Sequence, residues 1–501
     1  MPTASVLRSP VSDDAVIGSG DVIVGSAPPK SGTLDSSRMA TSDLARALAD
    51  AAGADAVVEA AELERFAGDS SVAPRARPAV AVRPADAAGV ARVLAAASER
   101  RVPVVPVGGG SGLSGGANPG EGWIALGLDR LDRIEVDAGN LRVTAGAGAR
   151  TAAVQAAARA AGLFYPPDPA SLERSTIGGN VATNAGGPRC FKYGVTAEYV
   201  LALEAVTADG LVFRTGPATR KNTAGLRLAQ LLVGSEGTLA VVTEATLRLV
   251  AAPAARLAAT ASFPTLELAG EAVAEVIRSG LVPSALELVD ATCLALVRRH
   301  LDGARVAEGE ALLLVEVDGR DDGAVRGELE HLVRLLRRVG AAEIEVASAA
   351  SDVDRLWLAR RALSPAFANA APDTLFQDVC VPPAAIPEAL RRIRAVAERH
   401  GLAIPVFGHA GDGNLHPSVL YDAGAGESAR AHAAEADVLR VAVALGGTVA
   451  AEHGVGLLKR PFLAEAVDPV ALELMRRVKT ALDPAGILNP GKVLPERVAI
   501  P

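Results

Sequence analysis

Helical and extended patterns of apolar residues alternate along most of this chain. Apolar positions recur at helical spacing over 41–53 and again over 85–101, ADAAGVARVLAAASERR, which runs directly into the extended segment VPVVPV. From about 255 to 445, helical patterns such as 322–338 and 384–399 alternate with strand-like runs such as ALLLVEV and AIPVFGH. That alternation predicts an α+β region with helices on one face of a sheet. Residues 1–40 are rich in Ser, Gly, Pro and Asp and lack the apolar stretch of a signal peptide, so they read as a disordered leader, with Met39 near the start of the folded part. The pattern divides the chain into 1–40, 41–254, 255–445 and a closing segment 446–501.

Between the periodic segments lie two glycine-rich stretches. The first, GGGSGLSGGANPGEG, follows VPVVPV and contains a formal G-x-G-x-x-G at Gly110, Gly112 and Gly115. A dinucleotide fingerprint of this kind must open a helix whose N-terminus holds the pyrophosphate. Asn118, Pro119 and further glycines follow instead, and then the extended segment WIALGL, so no helix is expected there. Glycine-rich backbone can still cradle phosphates through a nest of N–H groups. A second stretch, YPPDPASLERSTIGGNVATNAGGPRCFKYG at 165–194, offers Gly178, Gly179, Gly186 and Gly187 for the same purpose. Two such loops predict a large phosphate-bearing cofactor.

A different chemistry lies in PVFGHAGDGNLHP at 405–417. An Asp-Gly pair between extended segments favours a two-residue hairpin loop with both central residues at positive φ. With Asp412 and Gly413 as that loop, His409 pairs directly with His416, and their Cβ atoms lie roughly 4.5–5.5 Å apart on one face. These two and His453 are three of only seven histidines in 501 residues. Glu452, in AAEHGVG, adds a carboxylate. His409, His416 and Glu452 thus form a candidate open metal site for Zn²⁺, with Mn²⁺ or Fe²⁺ also compatible.

Composition narrows the setting. A net charge of −8 without a basic cluster argues against nucleic acid as a partner. Charged residues interrupt every apolar run before about 18 residues, so no membrane-spanning helix is expected. Cys190, Cys293 and Cys380 form neither a CxxC pair nor an even set, which points to the cytoplasm and excludes an iron-sulfur ligand motif.

The segments PVGGGSGLSGG, DPASLERSTIGGNVATNAGGP, YG, GSEGTLAVVTEATLRL, GHAGDGNLHP, AEHGVG and LDPAGILNPGK occur in that order. Together they resemble the FAD-linked oxidases of the vanillyl-alcohol oxidase, or PCMH, type, over about residues 45–495. Within these the chain resembles the D-lactate, glycolate and D-2-hydroxyglutarate dehydrogenase branch. The resemblance implies a PCMH-type FAD-binding domain of two α+β subdomains at 41–254. It further implies an α+β cap domain with an antiparallel sheet at 255–445, and a C-terminal helical segment returning to the FAD domain. The implied activity is oxidation of a D-2-hydroxy acid, D-lactate or glycolate, to the 2-oxo acid, with electrons passed to an external acceptor. Quinone, cytochrome, electron-transfer flavoprotein and iron-sulfur protein are all compatible acceptors. Alternatives are a D-2-hydroxyglutarate dehydrogenase, the catalytic subunit of a glycolate oxidase complex with an iron-sulfur partner, and a non-redox transferase of the alkylglycerone-phosphate synthase type. A homodimer and a peripheral position at the inner membrane are compatible with the resemblance.

Carried over to this sequence, Pro106, Gly108, Gly109, Gly110, Ser111, Gly112 and Gly115 would wrap the FAD diphosphate. Asp168, Ser171, Gly178, Gly179, Thr183 and Gly187 would form a second set, Glu236 and Gly237 a third, and Asn489 would reach the flavin side. No histidine precedes His300, and Cys190 lies outside the first phosphate loop, so FAD is expected to be non-covalent. His453 would be the catalytic base, an imidazole having the near-neutral intrinsic pKa a base needs. Arg360 would bind the substrate carboxylate, with Ser364 and Asn414 as further substrate contacts. Where relatives taking dicarboxylates carry a lysine, TLFQDVCVP offers Phe376 and Gln377, which favours a small monocarboxylate.

Overall fold

The computed structural model describes residues 34–301, 308–347 and 349–496. Most of the expected leader lies outside the described residues. The first helix, Leu34–Ala52, starts earlier than the apolar periodicity from 41 suggests.

Two larger sheets, beside a two-stranded pairing of Leu163–Phe164 with Val250–Ala251, make the N-terminal half. In the first, Ile124–Gly127 runs parallel to Val80–Val82 on one side and Val104–Val107 on the other. Its strands are apolar throughout because both faces are covered, as parallel strands require. Leu48, Val93 and Leu94 of the helices Leu34–Ala52 and Ala87–Arg100 pack on Val80, Val82 and Ile124. Leu63 and Phe66 pack on the opposite face, against Ala81, Val105 and Ala125. Asp86 caps the helix Ala87–Arg100 by accepting from Gly89 N–H at 2.7 Å. The second sheet has five antiparallel strands in the order Ile134–Asp137, Arg142–Gly146, Val241–Arg248, Val200–Val206, Val212–Arg214. The helices Thr151–Ala160 and Ile177–Thr183 bury Val154, Ala158, Ile177 and Val181 in its core.

The cap sheet takes all its strands from Ala255 to Tyr421. Its order is Glu343–Val346, Ala255–Phe263, Ala311–Gly319, Ala285–Asp290, Val406–His409, Asn414–Tyr421, Asp373–Phe376, all antiparallel, with Val379–Cys380 also pairing with Asn414–Tyr421. The long amphipathic helices Leu266–Arg278, Asp322–Val339, Ile386–His400 and Ser428–Ala444 share one core on one face. The expectation of helices on one face only needs correction. Ala291–His300 and Leu363–Ala370 cover part of the opposite face, over Val289, Leu312, Phe407 and Leu420, because these apolar side chains also need burial.

Ala350–Leu356 and Trp357 cover a further apolar part of that second face, over Ala258, Ala285 and Leu314, and polar residues on it reach the FAD-domain half. Asp318 accepts from Lys192 Nζ at 2.6 Å and from Tyr193 OH at 2.8 Å, which ties the cap sheet to the second glycine-rich stretch. The chain end comes back to the first sheet, where Val104 N–H donates to Ile487 O and Asn489 N–H donates to Val104 O, each at 2.8 Å. The fold is α+β, with two subdomains, a cap and a returning C-terminal segment.

Candidate active site

A cavity of about 510 Å³ runs between the two glycine-rich stretches and ends against Glu452 and His453. Pro106, Gly108, Gly109, Gly110, Ser111, Gly112, Ser171, Gly178, Gly179, Thr183, Glu236 and Gly237 line it. As expected, no helix follows the first loop. A Cβ on Gly109 would stand 2.0 Å from Arg174 O, and one on Gly178 would stand 2.7 Å from Ala147 Cβ, so these walls are backbone in close contact.

Gly115, Asp168, Gly187 and Asn489 stand outside the lining and act on its frame. Gly115 adopts φ +77° and leaves no room for a side chain beside Ala73. Gly187 adopts φ +143° against Asp168 O, while Asp168 pairs with Arg189 at 2.7 Å. Asn489 donates to Gly116 O at 2.9 Å and Glu236 O at 2.8 Å, joining the first and third loops.

Further lining residues were not among the sequence candidates, notably Asp69, Thr176, Arg174 and Asn180. They carry no glycine signal.

The histidine hairpin forms, but with a longer loop than expected. His409 lies opposite Asn414, and His416 lies opposite Phe407, leaving Ala410–Gly413 as a four-residue turn. Asp412 N–H donates to His409 O and Gly413 N–H to Ala410 O, and only Gly413 of the Asp-Gly pair has positive φ, at 78°. The direct His409–His416 pairing is therefore corrected to a diagonal one. A shift of two keeps both on one face, and their ring centroids lie 5.2 Å apart.

Glu452 Oε1 lies 3.4 Å from His409 Nε2, 3.4 Å from His416 Nε2 and 3.6 Å from His453 Nε2. Ligand atoms about 2.0–2.2 Å from a tetrahedral ion stand roughly 3.3–3.6 Å from one another. The three spacings are of that size, and the N/O donors suit a divalent metal. One ligand atom from each of Asp378, His416, Glu452 and His453 also lies within 4.8 Å of the others, a grouping that includes two residues outside the expected ligand set.

Asp378, fully buried, explains how the neighbours Glu452 and His453 can share a site. Its Oδ2 accepts the N–H groups of Ala451, Glu452 and His453, each at 2.9 Å, curling the backbone around one carboxylate. Gly454 and Gly456, at φ +78° and +52°, complete that irregular path. Burial opposes the Asp378 charge, but Lys459, His453 and His416 outweigh it and hold the carboxyl well below its usual range. Burial likewise opposes the charge of Glu452, and the three imidazoles pull its pKa down to about 2. Burial pushes His416 down to about 3. Burial would also lower His409, but the carboxylates of Glu287 and Glu452 lift it to about 10.

The expected substrate residues differ in placement. Arg360 Nε donates to Glu287 Oε2 at 2.7 Å, and its guanidinium lies 4.4 Å from the centre of the Phe407 ring. Asn414 is buried and donates to Asp378 Oδ1 at 2.8 Å and Val379 O at 3.0 Å, which makes it a strut for Asp378. Ser364 is exposed on the helix Leu363–Ala370. Glu287 and Asp378 escaped the sequence reading, although each carried a signal: an acidic residue inside an apolar strand pattern, ALELVD and LFQDVCV.

Two subdomains gripping a glycine-walled cavity, closed by an antiparallel cap, define a flavoenzyme fold. The FAD binding domain family matches residues 78–216, and the family described as FAD linked oxidases, C-terminal domain, matches 252–493. The glycolate oxidase subunit GlcD of Bacillus subtilis is 36% identical over 430 residues, covering 85% of this chain and 91% of the relative. The D-lactate dehydrogenase of Archaeoglobus fulgidus is 41% identical over 426 residues, 84% of this chain and 93% of that one. In fold the chain resembles p-cresol methylhydroxylase with substrate bound, at TM-score 0.76 and 16% identity over 92% of this chain and 97% of that one. The chain belongs to the FAD-linked oxidases of the PCMH type and is an FAD-dependent oxidoreductase.

Proposed function

We propose that this protein oxidises a small D-2-hydroxy acid, D-lactate or glycolate, to the 2-oxo acid and passes the electrons to an external acceptor. The observation that carries this is the end of the FAD cavity, where Glu452 and His453 meet the hairpin histidines. When bound, FAD supplies a hydride acceptor, and a divalent metal on His409, His416 and Glu452, zinc or else manganese or iron, supplies Lewis acidity toward the substrate hydroxyl. His453 takes the hydroxyl proton. Arg360 holds the carboxylate through its fork of donors. The buried hairpin keeps water from the reacting carbon.

A monocarboxylate fits better than D-2-hydroxyglutarate. Gln377 is buried and donates to Glu435 at 2.6 Å, so this side chain itself offers no positive charge to a second carboxylate. The acceptor is external, since no cysteine motif for an iron-sulfur centre occurs in the chain. Relatives named as a glycolate oxidase subunit favour a partner subunit as that acceptor. Among the described residues no helix is long and apolar enough to cross a membrane.

Anaerobic addition of D-lactate, L-lactate, glycolate and D-2-hydroxyglutarate to the purified holoprotein tests the reading. Bleaching of the flavin band by D-lactate or glycolate, but not L-lactate, is expected. A flavin that keeps its oxidised spectrum with all four acids, while FAD and metal are bound, refutes the proposal.

A further inference from the structure

Glu287 occupies the middle of the strand Ala285–Asp290 and is 0% exposed. A carboxylate removed from water needs strong donors or cations around it. It has two. Oε1 meets His409 Nδ1 at 2.6 Å, directly across the strand pair, and Oε2 accepts from Arg360 Nε at 2.7 Å. Arg360 reaches it from the short helix Leu358–Arg361, with its guanidinium carbon 4.4 Å from the ring centre of Phe407, the residue opposite His416 in the hairpin. An unbroken chain of contacts thus runs from the guanidinium to the imidazoles.

We infer that Glu287 is a positioning residue that sets the two arms of the substrate site relative to each other, an inference that rests on the proposed hydroxy-acid oxidation. With the metal bound, a hydrogen bond accepted by Glu287 from His409 Nδ1–H would leave Nε2, 3.4 Å from Glu452 Oε1, as the ligating nitrogen. Taking Arg360 Nε leaves the terminal nitrogens for a carboxylate. In a 2-hydroxy acid the hydroxyl and the carboxylate stand on adjacent carbons, so one rigid brace between the arms selects that spacing. A 3-hydroxy acid, one methylene longer, meets arms that cannot spread. The brace is thereby a determinant of substrate class as well as of geometry.

The test uses the holoprotein and the variants Glu287→Gln, Glu287→Asp and Arg360→Lys, each first checked for FAD content and melting temperature. In Glu287→Gln, zinc affinity measured by chelator competition is expected to fall about 10- to 100-fold. At saturating zinc the KM for D-lactate should rise about tenfold with a smaller change in kcat, and the preference for D-lactate over D-3-hydroxybutyrate should shrink. Glu287→Asp should recover part of each loss.

Arg360→Lys keeps its charge but loses Nε, and should weaken zinc by about threefold or more although it touches no ligand. That variant carries the test where Glu287→Gln does not fold. Variants that fold with full FAD, and keep zinc affinity, KM and the preference within about twofold of wild type, overturn the inference. If wild-type protein takes up no zinc or oxidises no hydroxy acid, the proposed function fails by itself. The brace is then decided by the hydrogen-bonded Nδ1–H resonance of His409 in imidazole-labelled protein. Its loss in Glu287→Gln supports the brace, and its persistence refutes it.

Discussion

The FAD cavity and the histidine site meet at Glu452 and His453, yet they are built by opposite means. In the cavity walls and their frame, side chains are removed: a Cβ on Gly109 would stand 2.0 Å from Arg174 O and one on Gly187 would stand 2.2 Å from Asp168 O, so loops close on each other as bare backbone. In the histidine site, charged side chains are concentrated and buried, with Glu287 and Asp378 at 0%, His416 at 3% and His409 at 5% exposure. Backbone N–H groups need no partner to hold their direction once the loop is fixed. Buried charges need partners on every side, so the second site depends on residues far apart in sequence.

The largest effect separates the two directly. His453→Ala and Glu452→Gln should each lower kcat/KM by about 10²- to 10⁴-fold, the scale of losing a positioned base. FAD content should stay that of wild type, because only the mouth of the cavity is touched. Anaerobic flavin reduction with D-lactate, beside the absorbance ratio of the purified protein, checks both halves. Loss of FAD together with activity would erase the distinction between the regions.

The same contrast explains what the sequence made legible. The glycine loops were readable because glycine clusters after an apolar strand have few other uses, and the absence of a following helix was already written in Asn118 and Pro119. The helices Asp322–Val339 and Ile386–His400 lie within two residues of their sequence bounds, their apolar stripes being long and regular. The hairpin register differs from the expected one because Asp-Gly suits a two-residue loop only in isolation. Here Gly413 lies against Val381 O, where its Cβ would stand 2.0 Å away, and tertiary contact selects the longer turn. Glu287 and Asp378 were missed because only the folded sheet brings each beside its histidines and backbone amides.

Glu236 belongs to both regions and gives a pH test. Its carboxyl lines the cavity while accepting from Val455 N–H at 2.7 Å and Gly456 N–H at 3.0 Å, just beyond His453. Burial pushes its pKa from 4.5 up to about 7, against the pull of those amides and of Lys492 and Lys459. A folded pKa above the unfolded one means that the folded state binds the extra proton. Stability from this group is therefore full below about pH 4.5 and declines as pH rises to about 7, by roughly 3 kcal/mol in total. Glu236→Gln should remove that decline. Denaturant unfolding of both proteins at pH 5 and pH 8 measures it, and an unchanged difference between them would show that Glu236 keeps an ordinary carboxyl pKa.

Gly109→Ala probes the backbone-built region alone. Its Cβ would stand 2.0 Å from Arg174 O, so the first loop must move away from the second. Overpacking of this kind costs about 1–3 kcal/mol, and the cost should appear as weaker FAD retention during dialysis. Zinc binding, measured on the same sample, should be unchanged because the histidine hairpin makes no contact there. A parallel loss of zinc would mean that the two regions form one cooperative unit.

Ser114 gives the smallest and finest test, since it is the stitch between the two constructions. It lies in the first glycine loop, and its hydroxyl can donate to Gly454 O at 2.9 Å or His453 O at 3.1 Å. A single proton can serve only one of these carbonyls at a time. Ser114→Ala therefore removes one hydrogen bond, about 0.5–1.5 kcal/mol, without disturbing a charge or a metal donor. If that bond sets the height of His453 above the cavity, kcat should fall about threefold to tenfold, with KM and FAD content unchanged. If instead the amides of Ala451, Glu452 and His453 on Asp378 Oδ2 alone fix the base, kcat stays as it was. The size of this small effect measures how far the backbone-built cavity, rather than the buried charges, places the His453 imidazole.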